Sequence, residues 1–220
     1  MSGRTRLATR ALRAAKEPLA PAIAASSKAK TATAAAPIQL FENAVAWETW
    51  LEANYTEQTG LWLKISKKAS GIPSVTYAEA LDAALCYGWI DGQKKTHDAQ
   101  HFIQKFTPRR KNSMWSKRNV DKVAALIEGG RMRQPGQFEI DAAKADGRWE
   151  RAYSSSSVME VPEDFQAALG QNIKAKTFFE GLGKTKRYSF LWRIATVKRE
   201  ETRRKKIGQF VALLAEGKTL

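Results

Sequence analysis

Between Thr76 and Pro108 the chain has few ways to fold. Thr76 and Glu79 form a capping box, in which hydroxyl and carboxylate satisfy amides left free at a helix start. Tyr77, Ala80, Leu81, Ala84 and Leu85 recur at helical spacing and make one apolar stripe. Gly88 supplies a left-handed stop. Trp89 to Thr96 and Gln100 to Thr107 read as paired strands about a turn near His97-Asp98, and Pro108 ends the second. A helix that must bury one stripe, followed at once by a hairpin, predicts a helix packed on an antiparallel sheet.

The flanking sequence extends this unit. "IQLF" reads as a short strand, Asn43 caps a helix to Asn54 with Trp47, Trp50 and Leu51 on one side, and "GLWLKIS" alternates as a half-buried strand. Ser116 opens a helix to Glu128 with Val120, Val123, Ala124 and Ile127 inward, and Gly129-Gly130 stop it. Beyond it the chain reads as helices: about Pro135 to Ala145, one opened by Pro162, one holding Phe178 and Phe179, and two lined by Tyr188, Leu191, Trp192 and Ala195, and by Ile207, Phe210, Val211 and Leu214. The expected class is α+β. A small, mainly antiparallel sheet with packed helices occupies residues 38–130, and an α-helical lobe occupies 131–220, packed with the first as one unit.

Residues 1–37 differ. They hold no aromatic residue and carry a net charge of +6, and read as a disordered basic tail. Arg4, Arg6, Arg10 and Arg13 among leucines also suit a mitochondrial transit peptide if the source is eukaryotic; otherwise the expected compartment is the cytoplasm. The remainder keeps a net charge of +9, so the basic excess is not confined to the tail. That field favours anionic partners. The single cysteine, Cys86, excludes an internal disulfide and a multi-cysteine zinc site. The apolar runs are too short to span a bilayer. A monomer or weak oligomer is expected.

Familiar catalytic patterns are missing. There is no P-loop, no G-x-G-x-x-G and no G-x-S-x-G elbow. Cys86 falls on the helix side of Glu79 and Asp82, where carboxylates suppress a thiolate. His97 and His101 have helical ligand spacing but lie in a turn and strand, so no metal site is assigned. No cofactor and no catalytic residue is indicated.

Two sites emerge from strand and helix geometry. If the hairpin turn has two residues, Trp89, Asp91 and Gln93 face Phe106, Gln104 and Phe102, so aromatic walls enclose a few polar groups, as in a small-ligand pocket; a turn of odd length would bring Ile103 and Lys105 to that face instead. An enzyme using the Asp91/Gln93 face is one alternative. Next to it, Arg109, Arg110 and Lys111 precede Trp115, Ser116 and Lys117 at a helix start. Cations there oppose the helix dipole, and an anion relieves the conflict. A third feature, Lys184, Lys186, Arg187, Arg193, Lys198, Arg199, Arg203, Arg204, Lys205 and Lys206, packs ten cations into 23 residues and suits nucleic-acid backbone.

Four stretches, "SVTYAEALDAALCYGWIDGQKK", "FIQKFTPRRKNSMWSKRN", "AAKADGRWERAY" and "VKREETRRKKIGQFVALLAEGK", resemble the YdeI/OmpD-associated (bacteriocin-protection) family. The likeness runs from about residue 40 to 218. It implies a non-enzymatic role in stress, bacteriocin or antimicrobial-peptide resistance, through a protein partner or a small anionic ligand. It brings no catalytic residue with it.

Overall fold

The structure, a computed structural model, describes Met1 and residues 36–220. The tail and transit-peptide expectations for residues 1–37 therefore fall almost wholly outside the described residues. Strands β1 (Ile38–Leu40), β2 (Leu61–Ser66), β3 (Trp89–Thr96) and β4 (His101–Pro108) form one sheet in the order β1-β2-β4-β3. β1 runs parallel to β2, and the other pairings are antiparallel. Helix α1 (Ala44–Asn54) begins at Asn43, whose side chain accepts from the Ala46 amide, and α2 (Tyr77–Cys86) begins at the expected capping box with both reciprocal bonds made. Then come α3 (Lys117–Glu128), α4 (Gln134–Ala145), α5 (Glu163–Gly170), α6 (Ile173–Gly181), α7 (Lys184–Ala195) and α8 (Glu200–Ala215). The class is α+β, with the strands in the N-terminal part and helices alone after β4, as the periodicities predict.

The sheet buries one face. Leu61, Leu63 and Ile65 alternate inward on β2, and Trp47 and Leu51 of α1 and Leu81 and Leu85 of α2 join them in the first core. α4 contributes Ile140 and Ala143 to the same core. A second core lies among α5 to α8 and holds Phe165, Phe179, Phe190, Ile194, Phe210 and Leu214.

Two local expectations are corrected. The hairpin loop is longer than two residues, because the Asp98 carboxylate accepts the Gln100 and His101 amides at 2.8 and 2.6 Å and holds a wider turn. A bulge also interrupts β3: Asp91 pairs with Phe106 and Lys94 with Gln104, so Gly92 and Gln93 share one opposing residue. The register is Trp89 with Pro108 and Asp91 with Phe106, not Trp89 with Phe106 and Asp91 with Gln104. Helix α3 is turned from its expected orientation. Asn119, Val123 and Leu126 are buried, whereas Ala124 is exposed and Ile127 is 43% exposed. The Lys117 amide bonds to the Tyr153 carbonyl and the Lys122 ammonium to Asp82 at 2.6 Å, and these ties set the rotation.

Gly136 marks the closest approach of α4 to the end of α2. A Cβ there would lie 2.3 Å from the Cys86 carbonyl oxygen and 2.7 Å from that of Leu85. Backbone oxygens cannot swing aside as a side chain does. Gly136→Ala is expected to destabilise the fold by about 1–3 kcal/mol despite the better helix propensity of alanine. Gly208→Ala on α8, where nothing lies within 4 Å, is expected to cause no loss. Urea midpoints of the two variants check this; equal midpoints would contradict the close approach.

Candidate functional site

The bulge decides where the β3–β4 residues go. Paired residues share a face, so Trp89, Asp91, Gln104, Phe106 and Phe102 face the helices and Gln93 passes to the other face. Trp89 and Phe106 are fully buried in an aromatic cluster with Trp47, and the Trp89 indole N–H donates to the Tyr55 carbonyl at 2.8 Å. They are core, not pocket wall. Gln104 is also buried, and its Nε2 donates to the Gly92 carbonyl at 2.8 Å, across the bulge. Phe102 is half-buried under the Lys94 ammonium, 4.1 Å from the ring centre. Asp91 accepts the Tyr77 hydroxyl at 2.7 Å. Asp91 and Gln93 therefore do not form one constellation.

Asp91 instead joins the helix start that the sequence singled out separately. Asp91, Tyr77, Ser116, Arg118, Asn119 and Tyr153 line a polar pocket of about 280 Å³. Burial, and then the bond to Asp91, push the Tyr77 phenol up to about 12. Ser116 accepts the Asn119 amide and caps α3.

Of the six residues proposed for an anion, Arg109 and Trp115 are brought together. The Arg109 guanidinium lies 3.7 Å from the centre of the Trp115 ring, whose other neighbour is Trp149 at 4.9 Å. Arg109 follows the last residue of β4, its amide donating to the Gly88 carbonyl, and its Nη2 donates to the Met114 carbonyl at 2.9 Å. The side chain is only 6% exposed, yet Nε and Nη1 find no acceptor among the described residues. Burial pulls its pKa down to about 10, with Glu139 opposing and Arg148 adding to the fall. Arg148 nearby is also buried but is satisfied by Asp146 and by the Ser113 carbonyl. Arg110, Lys111 and Lys117 are exposed.

Arg109 borders a cleft of about 500 Å³ whose lining includes Tyr55, Gln58, Tyr87, Gly88, Pro108, Gln134, Pro135, Phe138 and Glu139. Gly88 has φ +73°, and a Cβ there would meet the Pro135 carbonyl oxygen at 2.9 Å, so glycine is needed both for the turn and for the approach of α4. Glu139 is half-buried, and burial raises its pKa against the pull of Arg109 and Arg148. Tyr55, Phe138 and Glu139 belong to no motif or alternation pattern in the chain. One signal was present: Glu139 sits three residues after Gly136 and four before Ala143, inside the buried stripe of α4. A carboxylate on an apolar stripe asks for a partner.

Cys86 stands apart from this site. It is fully buried, not on an open carboxylate side of α2, and its thiol is pushed up to about 11, first by burial, with Glu48 and Asp82 lesser contributors. Its folded pKa lies above the ordinary thiol value, so the stability it contributes is whole below about pH 9 and is lost as pH rises toward about 11. The stability difference between wild type and Cys86→Ala is expected to shrink over that window. Folded protein is expected to resist thiol reagents until denatured. Rapid labelling of native protein at neutral pH would contradict both expectations.

His97 and His101 both lie against Asp98, at 3.9 and 2.8 Å, and the described residues contain no group of three or more His, Cys, Asp or Glu placed to hold a metal ion. Among them no helix is long and apolar enough to cross a membrane.

Comparison with known proteins divides the chain. Residues 39–139, which include Arg109 and Glu139, match the model of a domain of unknown function, DUF8412. Residues 158–217, which hold α5 to α8, match the family described as Bacteriocin-protection, YdeI or OmpD-Associated. The likeness to that family is thus shown for the C-terminal helices. No curated protein and no solved structure matches the chain.

Proposed function

We propose that this chain, whose residues 158–217 form a YdeI/OmpD-associated domain, binds a small anionic ligand in the cleft beside Arg109 and acts without catalysis in stress or bacteriocin resistance. One observation carries the binding reading. Arg109, 6% exposed, lines a cleft, and two nitrogens of its guanidinium find no acceptor among the described residues. Burying such a charge unpaired costs several kcal/mol. A carboxylate or phosphate entering the cleft would offset the charge and offer an acceptor that the described residues do not. The cleft volume lies in the range of small-molecule sites, and its tyrosines and prolines supply apolar walls. The resistance role rests on the family match alone.

The test is a thermal-shift screen of carboxylates and phosphates on the full chain. A true ligand at a hundred times its Kd is expected to stabilise the fold by about 2.7 kcal/mol. If no anion raises the melting point, the reading is lost.

A second reading concerns nucleic acid. Lys184, Lys186, Arg193, Lys198, Arg199 and Arg204 are exposed on and between α7 and α8, whereas Arg203 is engaged by Asp164 at 2.6 Å. The exposed set would contact phosphates with steep salt dependence. Absence of a DNA or RNA gel shift at low salt removes this reading.

A further inference from the structure

We propose that the ligand of the Arg109 cleft is a zwitterion, an amino-carboxylate whose carboxylate meets Arg109 and whose ammonium meets Glu139. The inference rests on the anion-binding reading above and narrows its chemistry. Arg109 and Glu139 carry opposite charges and line the same cleft, yet they do not pair. Among the described residues the Arg109 Nε and Nη1 have no partner, and Nη2 donates to the Met114 carbonyl. No hydrogen bond among the described residues reaches the Glu139 carboxylate, which feels burial and the fields of Arg109 and Arg148.

Both ends are fixed by the fold. Trp115 and Met114 hold the guanidinium, and the Arg109 amide is tied to Gly88. Glu139 rides on α4, which Gly136 seats against the last turn of α2. Two opposite charges sharing a partly desolvated space gain most by direct pairing. Held apart, each needs a counter-charge from elsewhere. A simple carboxylate would satisfy Arg109 but bring negative charge toward Glu139, whereas an ammonium on the same molecule turns that repulsion into a charge-assisted bond. The remaining wall is mixed: Gln58 and Gln134 line part of it, and part is apolar. Tyr55 and Pro135 line the apolar part, and Phe138 is a large hydrophobic side chain left 69% exposed at its edge. A ligand of amino-acid to dipeptide size, with an apolar side chain, fits about 500 Å³.

The experiment uses the full chain and matched probes read by calorimetry: the common amino acids, the same bodies lacking the amine, and the same bodies lacking the carboxylate. The best amino acid is expected to bind about ten- to a hundredfold tighter than its des-amino carboxylate, the value of one charge-assisted bond. Glu139→Gln, which keeps the shape, is expected to collapse that ratio to near one, with an unchanged circular dichroism spectrum. If carboxylates bind wild type as tightly as their amino acids, the zwitterion is overturned and anion binding stands. If the preference persists in Glu139→Gln, the assignment of the ammonium to Glu139 is overturned. If no probe of any kind binds, both the zwitterion and the anion reading fall.

Discussion

Trp47→Ala is expected to cost about 3–5 kcal/mol, a large part of the stability of a domain this size. Trp47 is wholly buried and lies at the junction of the helices and the sheet. Its ring stacks on Trp50 at 5.4 Å and touches Phe41, Trp89 and Phe106. Its indole N–H donates to the Ala80 carbonyl at 3.1 Å, tying α1 to α2. Truncation removes the apolar contacts and leaves a cavity that four aromatic neighbours cannot collapse into. Chemical denaturation measures the loss. Trp50→Ala is expected to cost less, because Trp50 is only partly buried. Equal losses would show that the cluster is held by the outer ring rather than the inner one.

Arg109→Met is expected to move stability the other way while removing ligand response. Methionine follows the arginine stem and keeps a sulfur against the Trp115 ring. It forfeits one charge-assisted bond to the Met114 carbonyl, worth about 1.5–3 kcal/mol. It also removes a desolvated charge and two N–H groups without acceptors, each buried donor costing about 1–3 kcal/mol. The balance favours the variant by about 1 kcal/mol, a rise in Tm of about 2–4 °C for a chain of this size. Arg109→Ala, by contrast, opens a void beside Trp115 and is expected to melt lower than wild type. No anion should shift the melting point of either variant. Arg109→Lys keeps charge without the planar fork and is expected to bind about tenfold weaker or worse. A melting point of Arg109→Met as low as that of Arg109→Ala would mean that the guanidinium stabilises the free protein, and the reason to expect a ligand would be gone.

The contrast between α2 and the β3–β4 hairpin shows what a sequence can disclose. The capping box, the apolar stripe and the left-handed Gly88 are local devices, each complete within a few residues, and α2 forms where they place it. The alternation of β2 was equally plain, because a strand with one buried face must repeat every second residue. The hairpin failed at its register. A bulge adds one residue without any compositional mark beyond Gly92, and it transfers Gln93 to the opposite face. The pocket drawn from alternation dissolved for that reason, while its strongest polar member, Asp91, found Tyr77 and the start of α3 instead.

The candidate site divides in the same way. Arg109 and Trp115 are six residues apart, and their basic, aromatic context was visible in the chain. That Arg109 is the buried member of the run while Arg110 and Lys111 stay in solvent could not be read there, because all three are equally basic and only the Gly88 tie and the Trp115 ring select one. Tyr55, Phe138 and Glu139 reach the cleft from the end of α1 and from α4, and no local rule links segments so far apart in sequence.

The sequence by itself determined the helices, the strands, the α+β class and the family likeness of the C-terminal helices, since periodicity, caps and long matching stretches are properties of neighbouring residues. Tertiary structure alone decided the bulged register, the rotation of α3 and the placing of Arg109 and Glu139 on one cleft. Those depend on which surfaces pack first and on which charges are left without a partner once they have.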